Sequence, residues 1–247
     1  MRSVVAPGSS GEQLGRLFLA GVLVVFMPQL PLGNYVIYPF TILTTWFHEM
    51  GHGLTGMLLG HEFERLVIFT DGSGYAETRL DSDAGNLSHG LIAAGGPLGP
   101  VIIGAALILA SSRRKRWRPA LLVLAGLIAL SALIWVRSTV GLVVLPLVGA
   151  AIAWIAYRGK DWAQRFSLQF LGVLAAMSML RDWDYLFSHS AVIGGQPMLS
   201  DTGAMEEALL LPYWLWAIVL LAISAGTIAI TLKYALAKGD GGPRRLR

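Results

Sequence analysis

Thr44-Thr45-Trp46-Phe47-His48-Glu49-Met50-Gly51-His52-Gly53 lies inside an otherwise apolar stretch that runs from Tyr35 to Gly60. On a helix, positions i and i+4 project from one face, so His48 and His52 can grip a single metal ion. Glu49 stands beside them, placed to act as a base on water in an HExxH arrangement. The apolar setting adds weight. A glutamate near mid-bilayer costs on the order of 2.5–3.5 kcal/mol, so an ionisable residue there is a functional candidate. These ten residues point to a zinc hydrolase working within a membrane.

Composition agrees. Hydrophobic residues make up 55% of the 247 and charged residues only 14%, with a mean hydropathy of +0.61. That excludes an ordinary soluble domain. Apolar runs long enough for a hydrocarbon core of about 30 Å recur along the chain. The expected fold is an all-α polytopic membrane protein with about seven spans, roughly 14–32, 35–60, 88–111, 119–136, 138–157, 166–187 and 209–235. Arg137-Ser138-Thr139 is the break that divides the fourth from the fifth. The run from Leu17 to Met27 ends in Pro28-Gln29-Leu30-Pro31 without a small-residue cleavage pattern, and reads as a retained first span.

Between Glu62 and Leu80 the pattern changes. Leu66-Val67-Ile68-Phe69, then Asp71-Gly72-Ser73-Gly74, then Tyr75-Ala76-Glu77-Thr78 read as a β-hairpin with a Gly-rich turn. A hairpin cannot cross lipid alone, because its edge amides would lack partners. It must lie at the interface or pack on the helices.

Lys and Arg orient the bundle. With alternating loops, Arg2, Arg16, Arg65, Arg79 and Arg137 share one side. Arg113 to Arg118, Arg158, Lys160, Arg165, Lys233 and the tail share the richer, cytoplasmic side. The basic isoelectric point, about 9.6, is thus a topology signal rather than a sign of nucleic acid. The tail Gly239–Arg244 reads as a disordered cytoplasmic segment.

With no cysteine in the chain, a metal must rest on His, Asp or Glu, which suits a catalytic zinc with one open position. A third ligand is needed. The second and sixth spans run in the same direction, and His48–His52 and Asp182 lie at similar distances along them, roughly 20–25 Å at 1.5 Å per residue. Asp182 is therefore the choice, with Asp184 next. His61 and His89 read as interfacial polar residues. Ala93-Ala94-Gly95-Gly96-Pro97-Leu98-Gly99-Pro100 interrupts the third span. Its small residues allow close helix approach, and Gly95, Gly96 and Pro97 are candidates for shaping a substrate channel beside the metal helix.

Taken together, the chain resembles the site-2 protease family of intramembrane zinc metallopeptidases. The resemblance rests on Phe47 to Gly53 in an early span, the hairpin, Gly95-Gly96-Pro97-Leu98-Gly99 in the next span and a late-span aspartate. Ser200-Asp201 before a further span looks like a bacterial branch of that family. The resemblance implies one Zn²⁺ held by His48, His52 and Asp182, with Glu49 activating water. It implies cleavage of membrane-protein substrates by a multi-pass protein of the bacterial inner membrane. The Asn…Pro…Asp-Gly signature usual around the third ligand is missing, since Trp183 follows Asp182. The organisation expected is a tail and first helix at 1–34, a metallopeptidase core at 35–187, and a loop, last helix and basic tail at 188–247. Two other readings stand beside it: a divalent-metal transporter using the same histidines as its transport site, and an inactive relative that binds membrane proteins without cutting them.

Overall fold

The computed structural model describes residues 10–81 and 84–237. The expected disordered tail and Arg2 lie outside the described residues. In chain order the elements are α1 (Ser10–Phe26), α2 (Gly33–Leu58), β1 (Glu62–Ile68), β2 (Gly74–Arg79), α3 (Asn86–Ser111), α4 (Arg114–Ile134), α5 (Thr139–Arg158) and α6 (Asp161–Ala176). Then come α7 (Ser178–Arg181), α8 (Trp183–Leu186), β3 (Ser190–Ile193), β4 (Gln196–Leu199), α9 (Asp201–Ala208) and α10 (Tyr213–Ala237). The fold is predominantly helical, with two small antiparallel hairpins.

Among the described residues, five helices are long and apolar enough to cross a membrane: α1 with its short extension to Gln29, α3, α4, α5 and α10. The expected second span exists as the 26-residue α2, although its polar motif sets it apart from those five. The expected sixth span is not one helix. α6 stops at Ala176, and the chain turns through α7 and α8. Asp182 itself breaks the helix, with φ −96° and ψ 31°. The break at 137 falls where expected, between α4 and α5.

α1 corrects the simple alternation of loops. Arg165, in the second turn of α6, lies 3.7 Å from Glu12 and donates to Gln13 Oε1 at 3.3 Å. Glu12 also holds Arg16, and Arg114 pairs with Asp161 at the start of α6. Arg16 therefore sits at the same end of the bundle as the Arg113–Arg118 cluster, not opposite it.

Backbone contact between helices builds the core. α2 and α3 cross at glycines: a Cβ on Gly99 would lie 2.9 Å from Gly51 Cα and 2.9 Å from Phe47 O, and one on Gly51 would strike the Gly95 carbonyl. α3 and α6 meet in the same way at Gly104 and Gly172. Small residues at such crossings let the backbones approach, which is how helices gain packing energy in lipid. Trp46 crosses from α2 to α4, its indole N–H donating to the buried Ser131 Oγ at 2.9 Å.

The first hairpin lies where the sequence placed it. Phe63, Leu66 and Ile68 of β1 face inward, and the irregularity between Phe63 and Arg65 shifts the alternation so that residues three apart can both be buried. Gly72 has φ +89°, and Asp71 Oδ1 accepts from Ser73 N and Oγ at 2.9 and 2.7 Å. The turn rests against α2, with Tyr38 donating to Thr70 O and Thr45 to Gly72 O. The outer edge of β1 is filled by the α4–α5 connection: Leu66 N–H donates to Trp135 O at 2.8 Å and Arg137 N–H to Leu66 O at 2.9 Å.

The second hairpin, β3–β4, was not expected. Gly194 and Gly195 both take positive φ, +58° and +81°, the two-residue turn that matches strand twist. Its tip meets the first hairpin: Gly194 N–H points to Ser73 Oγ at 3.4 Å, and Gly194 abuts the Phe69 ring.

Candidate metal centre

The helical spacing of HExxH does what it promises. His48 and His52 lie on one face of α2 with ring centroids 4.9 Å apart. The carboxylate that meets them is Asp201, in the first turn of α9. His48 Nε2 lies 3.0 Å from Asp201 Oδ2, and His52 Nε2 lies 3.1 Å from Oδ1. Ligand atoms of the three residues all fall within 4.8 Å of one another.

These donors fit a metal ion. His52 Nδ1 is 2.7 Å from the Ile92 carbonyl, so its N–H is committed there and Nε2 of the neutral ring presents a lone pair. That lone pair faces a carboxylate oxygen, an arrangement that calls for a cation between them. Asp201 Oδ2 is buried and has no hydrogen-bond partner among the described residues, despite its distance from His48. Two imidazoles and a carboxylate are a donor set suited to catalytic zinc, with a position left over.

Gly96 makes the room. A Cβ there would run into the His52 imidazole and lie 2.8 Å from His48 Nε2. Gly95, its neighbour, instead meets Thr55 and Gly51 across the α2–α3 crossing. Pro97 borders a small recess shared with His48, Asp182 and Asp201. Glu49 is buried, 5% exposed, and borders the cleft on both sides of His48. The first residue of β2 covers it: a Cβ on Gly74 would come within 3.3 Å of Glu49 Cγ.

Asp201 is held by hydroxyls on either side of it. Ser200 Oγ caps α9 by accepting from Gly203 N–H at 3.0 Å, and donates to the Ser188 carbonyl. Thr202 Oγ1 donates to Leu186 O at 2.8 Å. Ser200, Asp201 and Thr202 are all buried, so the carboxylate is delivered on a short, rigidly capped helix.

Asp182, the expected third ligand, lies outside the triad. It is an exposed residue on the cleft wall near His48. The depth argument assumed one straight helix from 166 to 187, and the break after Ala176 removes that premise. Asp184 is exposed and borders none of these cavities. His89 lines the cleft, whereas His61 sits 3.9 Å from Asp81 at the hairpin base. Two residues of the site have no functional role assigned from the sequence, although Ser200-Asp201 is noted as part of the family resemblance. Tyr185 has its ring 6.4 Å from His48 and borders the cleft throughout. Asp201 carried a local signal, since Ser200 before Asp-Thr-Gly-Ala is a helix start. The site thus draws on both the 35–187 and the 188–247 segments.

No curated protein and no solved structure matches the chain. A family model does: the one described as Peptidase M50B-like covers residues 17–231. With nearly the whole chain matched, and with HExxH set in a bundle of apolar helices, the protein belongs to the M50B-like branch of the site-2 protease-like metallopeptidase family.

Proposed function

We propose that the protein is an intramembrane zinc metallopeptidase that cuts peptide bonds in or next to transmembrane segments of membrane proteins. One observation carries the reading. In a chain of this family, two imidazoles of α2 and the Asp201 carboxylate converge within 4.8 Å, with a buried glutamate beside them.

His48, His52 and Asp201 would hold one Zn²⁺, which when bound supplies a Lewis acid to polarise the scissile carbonyl. Glu49 takes a proton from the attacking water and passes it to the departing amine. Burial under Gly74 keeps Glu49 away from bulk water. Tyr185 lines the cleft beside His48, facing the metal centre.

A transmembrane helix hides its carbonyls in its own hydrogen bonds, so a substrate must be unwound before it is cut. β2 offers the partner. β1 occupies one of its edges, and the other pairs with no strand among the described residues and borders the cleft. An extended substrate segment adding to that edge finds main-chain partners beside the metal centre.

The test is a comparison of membrane proteomes from cells carrying wild type or Glu49→Gln. The variant retains metal, and uncut substrates accumulate with it. Undiminished cleavage by Glu49→Gln refutes the assigned base. A wild-type protein that binds no zinc refutes the metallopeptidase reading.

A further inference from the structure

The cleft is not uniform along its length. It has two lobes, which share His48, Glu49 and Tyr185 and are both bordered by Gly74 and Ile193 next to the hairpin tips. One lobe, of about 240 Å³, is walled by apolar side chains such as Leu80, Ile92, Met198 and Leu199. The other, of about 300 Å³, is walled by hydroxyls of α2 and Ser178 on one side and by Ala191 to Ile193 of β3 on the other, and carries the charged groups Asp71, Arg181 and Asp182; we call it the polar lobe for those charges. The fixed charges outside the metal centre thus all lie in one lobe, on one side of the cut.

Within the polar lobe the carboxylates are not equivalent. Asp71 is turned into its own hairpin, accepting from Ser73 N and Oγ. Glu49 belongs to the catalytic apparatus. Asp182 is exposed, makes no hydrogen bond or ion pair through its side chain among the described residues, and borders the recess of His48 and Asp201 as well as the lobe itself. Arg181 is exposed on the same wall and supplies the lobe's one fixed positive charge among the described residues. Two fixed negative charges from Asp71 and Asp182, against one positive, leave the wall electronegative, and the carboxylate free to engage a ligand is the one nearest the triad.

Building on the metallopeptidase reading, we propose that Asp182 is a specificity-determining residue that selects a lysine or arginine side chain in the polar lobe, next to the scissile bond. The substrate class is then a segment at the edge of a membrane span that carries a basic residue next to the cut. Charge complementarity at such a wall sets which partner is accepted more than how tightly any partner is held.

The experiment uses the full-length zinc-loaded protein in detergent and two peptide hydroxamates that are identical except for Lys or Glu at the polar-lobe position. Binding is measured by calorimetry for wild type, Asp182→Asn and Asp182→Lys, with zinc content determined for each. Wild type should favour the Lys peptide by about tenfold, a usual size for one charge contact in a partly desolvated cleft. Asp182→Asn should lose the preference and Asp182→Lys should favour Glu, all with wild-type zinc content. The same preference in all three proteins overturns the inference while leaving the metallopeptidase reading intact. Failure of both peptides to bind zinc-loaded wild type overturns that reading and this inference with it.

Discussion

Gly96→Ala tests whether the three ligands form one metal centre. The added methyl would sit 2.8 Å from His48 Nε2 and closer still to the His52 ring. Ordinary van der Waals separation is about 3.5 Å, so His48 must retreat by about 0.7 Å and His52 by more. Metal–ligand distances tolerate only about 0.2 Å. His52 has little freedom to follow, being tied by Nδ1 to Ile92 O on α3 itself. Alanine otherwise favours the helix over glycine by about 1 kcal/mol, so α3 does not suffer from the change in its own right. The expected result is at least a hundredfold loss of zinc affinity, about 2.7 kcal/mol. Competition with a chromogenic chelator measures it on purified protein. Gly126→Ala is the control, because a Cβ there meets nothing within 4 Å. Overpacking against the His52 ring also costs the metal-free variant about 1–3 kcal/mol of stability, so zinc affinity is measured well below its melting temperature. Wild-type zinc affinity in Gly96→Ala would refute the geometry on which the site is built.

Three further outcomes are expected. Asp201→Asn should lower zinc affinity by more than about a hundredfold, beyond the 10–100-fold cost of losing an outer-shell partner, whereas Asp182→Asn should leave zinc stoichiometry unchanged; metal analysis showing the reverse would restore Asp182 as the ligand. Ser131→Ala leaves the buried Trp46 indole N–H without its acceptor and should cost about 1–3 kcal/mol in thermal unfolding, with zinc binding retained. At the first hairpin, Ser73 Oγ and N–H hold the Asp71 carboxyl below its ordinary value of 3.8. A folded value below the unfolded one makes this contribution complete above the unfolded value and lost as pH falls through the folded one. The protection of amides 71–74, corrected for the intrinsic pH dependence of exchange, should therefore fall only below about pH 4, and a loss of protection near neutrality would contradict the hydrogen-bond assignment.

Local patterns carried much of this structure, and continuity of helices carried what failed. His48, Glu49 and His52 were legible because period 3.6 fixes which side chains share a face. The hairpin at 62–79 was legible because Asp-Gly-Ser-Gly between apolar runs admits little else. Gly96 was read as a channel residue, and the structure shows a more specific reason for a glycine there: the imidazoles occupy the space a side chain would need. Asp182 was nominated from its depth along an assumed straight span, but hydropathy reports that a stretch is apolar and not that one helix runs through it. α6 is only 16 residues long, and the chain then turns twice before the second hairpin. Gly194-Gly195 and the Ser200 cap were both visible as local signals. What the sequence could not supply was the tertiary fact that β3–β4 folds back and sets α9 against α2. Charge counting likewise could not see that Arg16 reaches Arg165 through Glu12.

The origin of Asp201 has a mechanical consequence. His52 and His48 lie 149 and 153 positions before Asp201, and between them run both hairpins and α3 to α8. A metal held by all three would act as a cross-link closing a very long loop, the kind of closure that most restricts an unfolded chain. Stripping the ion would then do more than silence chemistry. It would release the start of α9 from α2 while α6 and α10 stay packed on α1 and α3, so chelation should expose the connection around α8 and β3 to added protease before any apolar helix gives way.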